Sequence, residues 1–163
     1  MVRLLRHLFT PPWLVKRCFP RDAMARIEGA ISTSERLHQG EIRFAVEAAL
    51  DISALLSGRT AHERALDVFS QLRIWDTEHN SGVLIYLLLA DRDVEIVADR
   101  GINAKVEKAE WERICRDMES AFRQGQFEQG VLTGVDEITR LLVKYFPADG
   151  INPDELPDRP VVL

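Results

Sequence analysis

The sequence predicts an α/β fold, a mixed β-sheet with helices packed on both faces in the order α-β-α-β-β-α-α. Three observations predict it. Residues 41–48, EIRFAVEA, alternate with a period of two, as a strand does. Residues 83–89, VLIYLLL, are continuously apolar, as a strand covered on both faces is. Apolar residues recur at helical spacing before, between and after these stretches. A chain of 163 residues with 46% hydrophobic and 29% charged content is enough for one ordinary domain with a sizeable core.

Proline sets the boundaries. All seven prolines fall at 11, 12, 20, 147, 153, 157 and 160, so no proline interrupts the chain between 21 and 146. The folded domain is therefore placed at 21–146, between a basic amphipathic arm, 1–20, and an acidic, Pro-rich tail, 147–163, that reads as extended and peripheral.

The elements follow in order. Met24, Ile27 and Ile31, with Ser34 or Leu37, mark a helix from about Asp22 to Leu37, and Gly40 stops it. In the first strand Ile42, Phe44 and Val46 face inward, while Glu41, Arg43 and Glu47 lie on a face that tolerates polar groups. Thr60-Ala61-His62-Glu63 fits a capping box opening a helix with Ala65, Leu66, Phe69 and Leu72 inward. After the run at 83–89, Asp91-Arg92 can turn the chain into VEIVAD, where Val94, Ile96 and Ala98 alternate with Glu95 and Asp99. Two more helices turn Trp111, Ile114, Cys115, Met118 and Phe122, then Phe127, Val131, Val135, Ile138 and Leu142, inward. Gly130 and Gly134 let the last helix approach a neighbour closely.

Charge narrows the function classes. Residues 1–21 carry five Arg or Lys and no acid, which leaves −10 on residues 22–163 of a chain whose net charge is −5. An acidic body argues against nucleic acid. Cys18 and Cys115 form no metal spacing and imply a reduced, cytoplasmic setting. The arm mixes Arg3, Arg6, Lys16 and Arg17 with Leu4, Leu5, Leu8, Phe9, Trp13 and Leu14. It either lies on an anionic membrane surface, at the inner face, or docks on the domain through Trp13 and Leu14. It lacks the apolar core of a signal peptide, and the run Val83 to Ala90 is too short to span a bilayer.

The stretch IWDTEHNSG, residues 74–82, carries the candidate chemistry. If Asp91 and Arg92 are the two turn residues of the hairpin, Asp99 stands opposite Leu84 and Gly101 opposite Gly82, so Asp99 ends beside this loop. A parallel first strand starts at the same edge and brings Glu41 there. Glu41, Asp76, Glu78 and Asp99 then converge, and such carboxylates need a cation, an Arg or a proton between them. Asp76, Glu78, Asn80, Asp99 and, less directly, Glu41 are the expected ligands of a hard divalent cation, Ca2+ or Mg2+. The loop is not an EF-hand: Gly82 falls at the seventh place and the twelfth is Leu87. Arg43 and Arg100 offer the competing reading of a salt-bridged turn. His79 reads as a solvated loop residue.

The series GEIRFAVE, WDTEHNSGVLIYLLLADRDVEIVADRGI and FRQGQFEQGVLTGVDEITRLL, within residues 24–146, resembles the TPM-domain family of thylakoid-lumen acid-phosphatase-like and bacterial membrane-associated proteins. The resemblance implies an α/β sandwich, metal binding in some members and weak phosphatase activity in a few. Many relatives carry a signal peptide and a C-terminal transmembrane segment, and neither is visible here. Two functions follow. One is an accessory or binding domain with a divalent-cation loop, acting with a membrane surface or a membrane-protein partner through residues 1–20. The other is a metal-assisted, acid-phosphatase-like hydrolase using Asp76 and Asp99, with Arg100 on the phosphate. The chain has no Walker loop, nucleophile elbow or HExxH motif, which favours the accessory reading.

Overall fold

The computed structural model describes residues 2–150 and 153–163. Among these, a four-stranded mixed sheet in the order β3-β2-β1-β4 is packed by helices on both faces. The strands are β1 (Glu41–Glu47), β2 (Gly82–Leu88), β3 (Asp93–Ala98) and β4 (Val161–Val162). β1 and β2 run parallel with Glu41 paired to Gly82, and β2 and β3 form the expected antiparallel hairpin.

Alternation along the strands builds two cores. Ile42, Phe44 and Val46 of β1, with Val83, Ile85 and Leu87 of β2, face α3 (Arg21–Glu35), α7 (Lys108–Arg123) and α8 (Phe127–Tyr145). The opposite face carries Ala45, Leu84, Tyr86 and Leu88 against Ala61, Ala65 and Val68 of α5 (Ala61–Gln71). β2 is thus buried on both sides, as its unbroken apolar run requires. The capping box forms: Thr60 accepts from the Glu63 N–H, and the Glu63 carboxylate accepts from the Thr60 N–H at 2.8 Å. Gly130 and Gly134 lie against Phe122 and Met118 of α7, where a β-carbon would collide.

The structure corrects three expectations. The polar-tolerant face of β1 is buried: Glu41 and Arg43 lie in the interior, and Glu47 accepts from Arg64 at 2.8 and 3.1 Å and from the Tyr86 hydroxyl at 2.7 Å. For Glu47, partners on α5 and β2 explain how the charge is tolerated.

The hairpin register also differs. Leu88 pairs with Asp93 and Val83 with Ala98. Its turn is Leu89–Arg92, closed by the Arg92 N–H on the Leu89 carbonyl at 3.1 Å, with Arg92 at φ 53°. The turn therefore starts one residue earlier than expected and shifts every pairing by two, which keeps each side chain on its face. Asp99 falls opposite Gly82, donating its N–H to the Gly82 carbonyl at 2.9 Å.

Neither end is peripheral. The arm forms α1 (Val2–Leu8) and α2 (Trp13–Cys18), and Val15 and Phe19 enter the core, with the Phe19 ring 5.6 Å from Phe44 and 5.9 Å from Phe127. Trp13 stays exposed. The tail runs beside β1: Leu156 packs with Ala45 and Tyr86, and Val161 and Val162 pair in parallel with Ala45 and Val46 as β4. Three β-branched or aliphatic residues at the very end of the chain can cover an edge that would otherwise stay open. Further short helices are α4 (Ile52–Leu56) and α6 (Arg100–Asn103).

Candidate functional site

The β1–β2 register brings Glu41, the loop before β2 and the end of β3 to one edge of the sheet. The Glu41 N–H donates to the Ser81 carbonyl at 3.1 Å, and the Gly101 N–H donates to the Asn80 carbonyl at 3.2 Å. A β-carbon at Gly101 would stand 2.6 Å from that carbonyl oxygen and 2.7 Å from that of His79, so glycine is what lets the loop rest there.

Within the loop the expected ligands take separate partners. Asp76 is exposed and ion-pairs with Arg73 at 2.7 Å. Glu78 is exposed, and its N–H donates to Glu155 Oε2 of the tail at 2.9 Å. Asn80 adopts φ 51°, and its Oδ1 accepts from Arg100 Nε at 3.3 Å. Asp99 caps α6, its Oδ1 accepting from the Arg100 N–H at 2.7 Å, while Oδ2 is buried without a partner among the described residues. His79 is exposed.

Glu41 turns to the tail instead. Its Oε2 accepts from the Leu156 N–H at 3.1 Å; its Oε1 is fully buried and has no partner among the described residues. Glu35, in the last turn of α3, accepts from the Ile42 N–H at 2.7 Å, closing the start of β1 that β4 is too short to reach. Ligand atoms of Glu35, Glu41 and Asp154 all lie within 4.8 Å of one another, the group of three acids that meets this condition among the described residues. They line a cleft of about 460 Å³ with Ser32, Arg36 and Asp158.

Burial dominates the electrostatics of this cleft. It pushes the Glu41 carboxyl up to about 7, opposed by the N–H groups of Leu156 and Glu155 and assisted by the charges of Asp154 and Glu155. It pushes Glu35 up to about 10, opposed by the Ile42 N–H and reinforced by Asp158 and Glu41. Burial lowers Arg43, against the pull of Asp158 and Glu35. Such a cleft can hold a proton, or a cation in its place.

The sequence reading reached Glu41 but missed Glu35 and Asp154. Glu35 looks like an ordinary helix-end acid, and Asp154 belongs to a tail whose sheet pairing rests on two residues. The usable signal was the Val161-Val162-Leu163 run after Pro160, a strand signature that would have drawn Asp154, Glu155 and Asp158 towards β1.

Comparison with known proteins agrees with the geometry. The family model for the TPM domain matches residues 17–141. The fold is similar to the NMR structure of the BA42 protein from the psychrophilic bacterium Bizionia argentinensis, at 32% identity and a TM-score of 0.77 over 87% of this chain and 93% of that one. It is also similar to the solution structure of the N-terminal domain of a P. gingivalis protein, at 16% identity and a TM-score of 0.63 over 86% and 95%, a likeness of fold alone. No curated protein matches. Asp154, Leu156 and β4 lie beyond the matched residues. With the family model spanning most of its length, the chain belongs to the TPM-domain family.

Proposed function

We propose that this protein is an accessory module that docks on an anionic membrane surface through its N-terminal arm. The reversed polarity of α1 carries this reading. Its inner side holds Arg3 and His7: Arg3 Nε donates to Asp91 Oδ2 at 2.8 Å and Nη1 to the Arg59 carbonyl at 2.8 Å. His7 Nδ1 accepts from the Leu50 N–H at 3.0 Å, which leaves the Nε2 proton for Asp91 Oδ2 at 3.0 Å. Its outer side and the following turn leave Val2, Leu5, Leu8, Phe9 and Trp13 between 48% and 76% exposed. A helix on a water-facing surface has the opposite arrangement.

Charge selects the occupant. Arg6, Lys16 and Arg17 are exposed on the same arm, and no acid lies within residues 1–21. Apolar side chains among basic ones suit the headgroup region of an anionic bilayer. The arm's bonds to Leu50 and Arg59 bracket α4, whose Ile52 and Leu56 are also exposed, so the apolar surface extends beyond the arm. No helix among the described residues is long and apolar enough to cross a membrane. The hydrolase alternative would have Asp76 and Asp99 act together, and each is engaged elsewhere, with Arg73 and with the start of α6.

Vesicle flotation of the full chain tests the proposal. Binding is expected to phosphatidylcholine vesicles containing phosphatidylglycerol, not to phosphatidylcholine alone, and should weaken as salt rises. Each basic residue near the surface contributes about 1 kcal/mol, so Arg6→Gln should weaken binding about fivefold. Leu8→Ser with Phe9→Ser should abolish it while leaving the melting temperature near that of the parent. Absence of vesicle binding, or arm-dependent self-association in its place, would refute the membrane as the occupant.

A further inference from the structure

We propose that the cleft beside β3 receives an extended, basic peptide as a further strand of the sheet. β3 is an outer strand in the order β3-β2-β1-β4. The Asp99 N–H bonds to the Gly82 carbonyl, so alternation turns the main-chain groups of Asp93, Glu95 and Val97 to β2 and those of Val94, Ile96 and Ala98 outward. Side chains hold only half of these outward groups. The Val94 N–H donates to Glu119 Oε1 at a long 3.4 Å, the Ile96 N–H donates to the Cys115 sulfur, and the Ala98 carbonyl accepts from Asn103 Nδ2 at 2.6 Å. The Val94 and Ile96 carbonyls and the Ala98 N–H have no protein partner among the described residues.

The cleft follows this edge. It has a volume of about 860 Å³ between α5, which contributes His62 and Leu66, and α7, which contributes residues from Lys108 to Glu119. α7 runs antiparallel to β3, since Cys115 meets Ile96 and Glu119 meets Val94. Six strand residues at about 3.4 Å each make an edge of roughly 20 Å, enough to pair a segment of equal length. An exposed sheet edge takes an extended peptide by main-chain bonding, and pockets for alternate side chains give selectivity. Trp111 supplies a second, independent mark. Its side chain lines the cleft and is 6% exposed, and its indole Nε1 has no acceptor among the described residues. A buried donor in that state suits a ligand carbonyl.

Electrostatics decides between a foreign peptide and a second copy. The start of β3 gathers Asp93, Glu95 and Glu119 beside Asp91. Glu95 is held by His62 at 2.9 Å and Glu119 by Arg123 at 3.3 Å, while Asp93 has no ion pair among the described residues. Burial and the neighbouring carboxylates push the Asp93 carboxyl up to about 6, with Arg3 opposing, which is the response of an acid short of a cation. A Lys or Arg side chain on the incoming strand supplies one. A second copy would bring its own Asp93 and Glu95 to the same edge, and like charges oppose that pairing. Between Leu66, Ile96 and Trp111 the cleft is apolar and takes an aliphatic side chain.

Amide NMR of the full chain at pH 7.5 tests this, with the peptide acetyl-Lys-Val-Lys-Val-Thr-Val-amide as the probe. Titration to millimolar peptide should shift the amides of Val94, Ile96 and Ala98 and the Trp111 indole N–H. The same peptide N-methylated throughout, or carrying Glu in place of Lys, should leave them unmoved. Asp93→Asn should weaken binding of the Lys peptide about fivefold, the upper range for one partly exposed ion pair, and Asp76→Asn should not. Edge shifts with the Lys peptide that are weakened by Asp93→Asn support the site. Indifference to the peptide, binding unaltered by N-methylation, by Glu for Lys or by Asp93→Asn, or edge shifts that follow protein concentration alone overturn it, the last assigning the edge to a second copy.

Discussion

Asp93 opens β3 among its own kind. Burial, then the carboxylates of Glu95, Glu119 and Asp91, push its carboxyl up to about 6, with Arg3 opposing. A carboxyl held above its ordinary 3.8 favours the folded state fully below that pH and loses the contribution as pH rises through about 6. Asp93→Asn should therefore stabilise the protein at pH 7.5, by something of order 1 kcal/mol, and change little at pH 4. Urea midpoints at the two pH values check it; equal effects at both would show that the gain comes from packing. Residue-scale features were legible where their partners are local. Thr60 and Glu63 sit three apart, and their reciprocal bonds need only one helical turn. The engagement of Asp91 with Arg3 and His7 spans more than eighty residues, and no local pattern signals it.

Elements were legible where period and breaker agree, as along β1, β2 and the two long C-terminal helices. Register was harder, because Ala90-Asp91 and Asp91-Arg92 both look like turn centres. What separates them is the left-handed backbone at Arg92, which sequence does not advertise in an arginine. The two-residue shift moved Asp99 opposite Gly82 and put Gly101 directly under the loop. Gly101→Ala should destabilise by roughly 1–3 kcal/mol, since its β-carbon meets the fixed carbonyls of His79 and Asn80. Gly134→Ala meets the flexible side chain of Met118 and should cost less. Denaturant midpoints rank the pair, and amide shifts at His79 and Asn80 should move only in the first. A larger loss at Gly134 would mean that the α7–α8 contact, not the loop, is the tighter one.

At the scale of the molecule, proline placement separated the ends from the domain in sequence but said nothing about what the ends do once folded. Hydrophobicity within the ends was the better guide: Val15 and Phe19 fill the gap between α3, β1 and α8, and Val161 and Val162 pair with β1. A fragment of residues 21–146 should therefore be a poor protein. Losing the Phe19 side chain alone removes two aromatic contacts, and truncating a buried Phe typically costs about 3–5 kcal/mol. Losing β4 leaves the outer edge of β1 unpaired, and an open apolar edge invites pairing between chains. Removing residues 1–10 is different, because it takes away α1 and the His7 bonds but spares Val15 and Phe19. That truncation should melt only a few degrees below the full chain and lose vesicle binding, whereas the 21–146 fragment should aggregate or melt far lower. Sedimentation and thermal melting of the two truncations distinguish the roles. A 21–146 fragment that stays monomeric and melts with the full chain would show that the ends are ornaments on an independent domain.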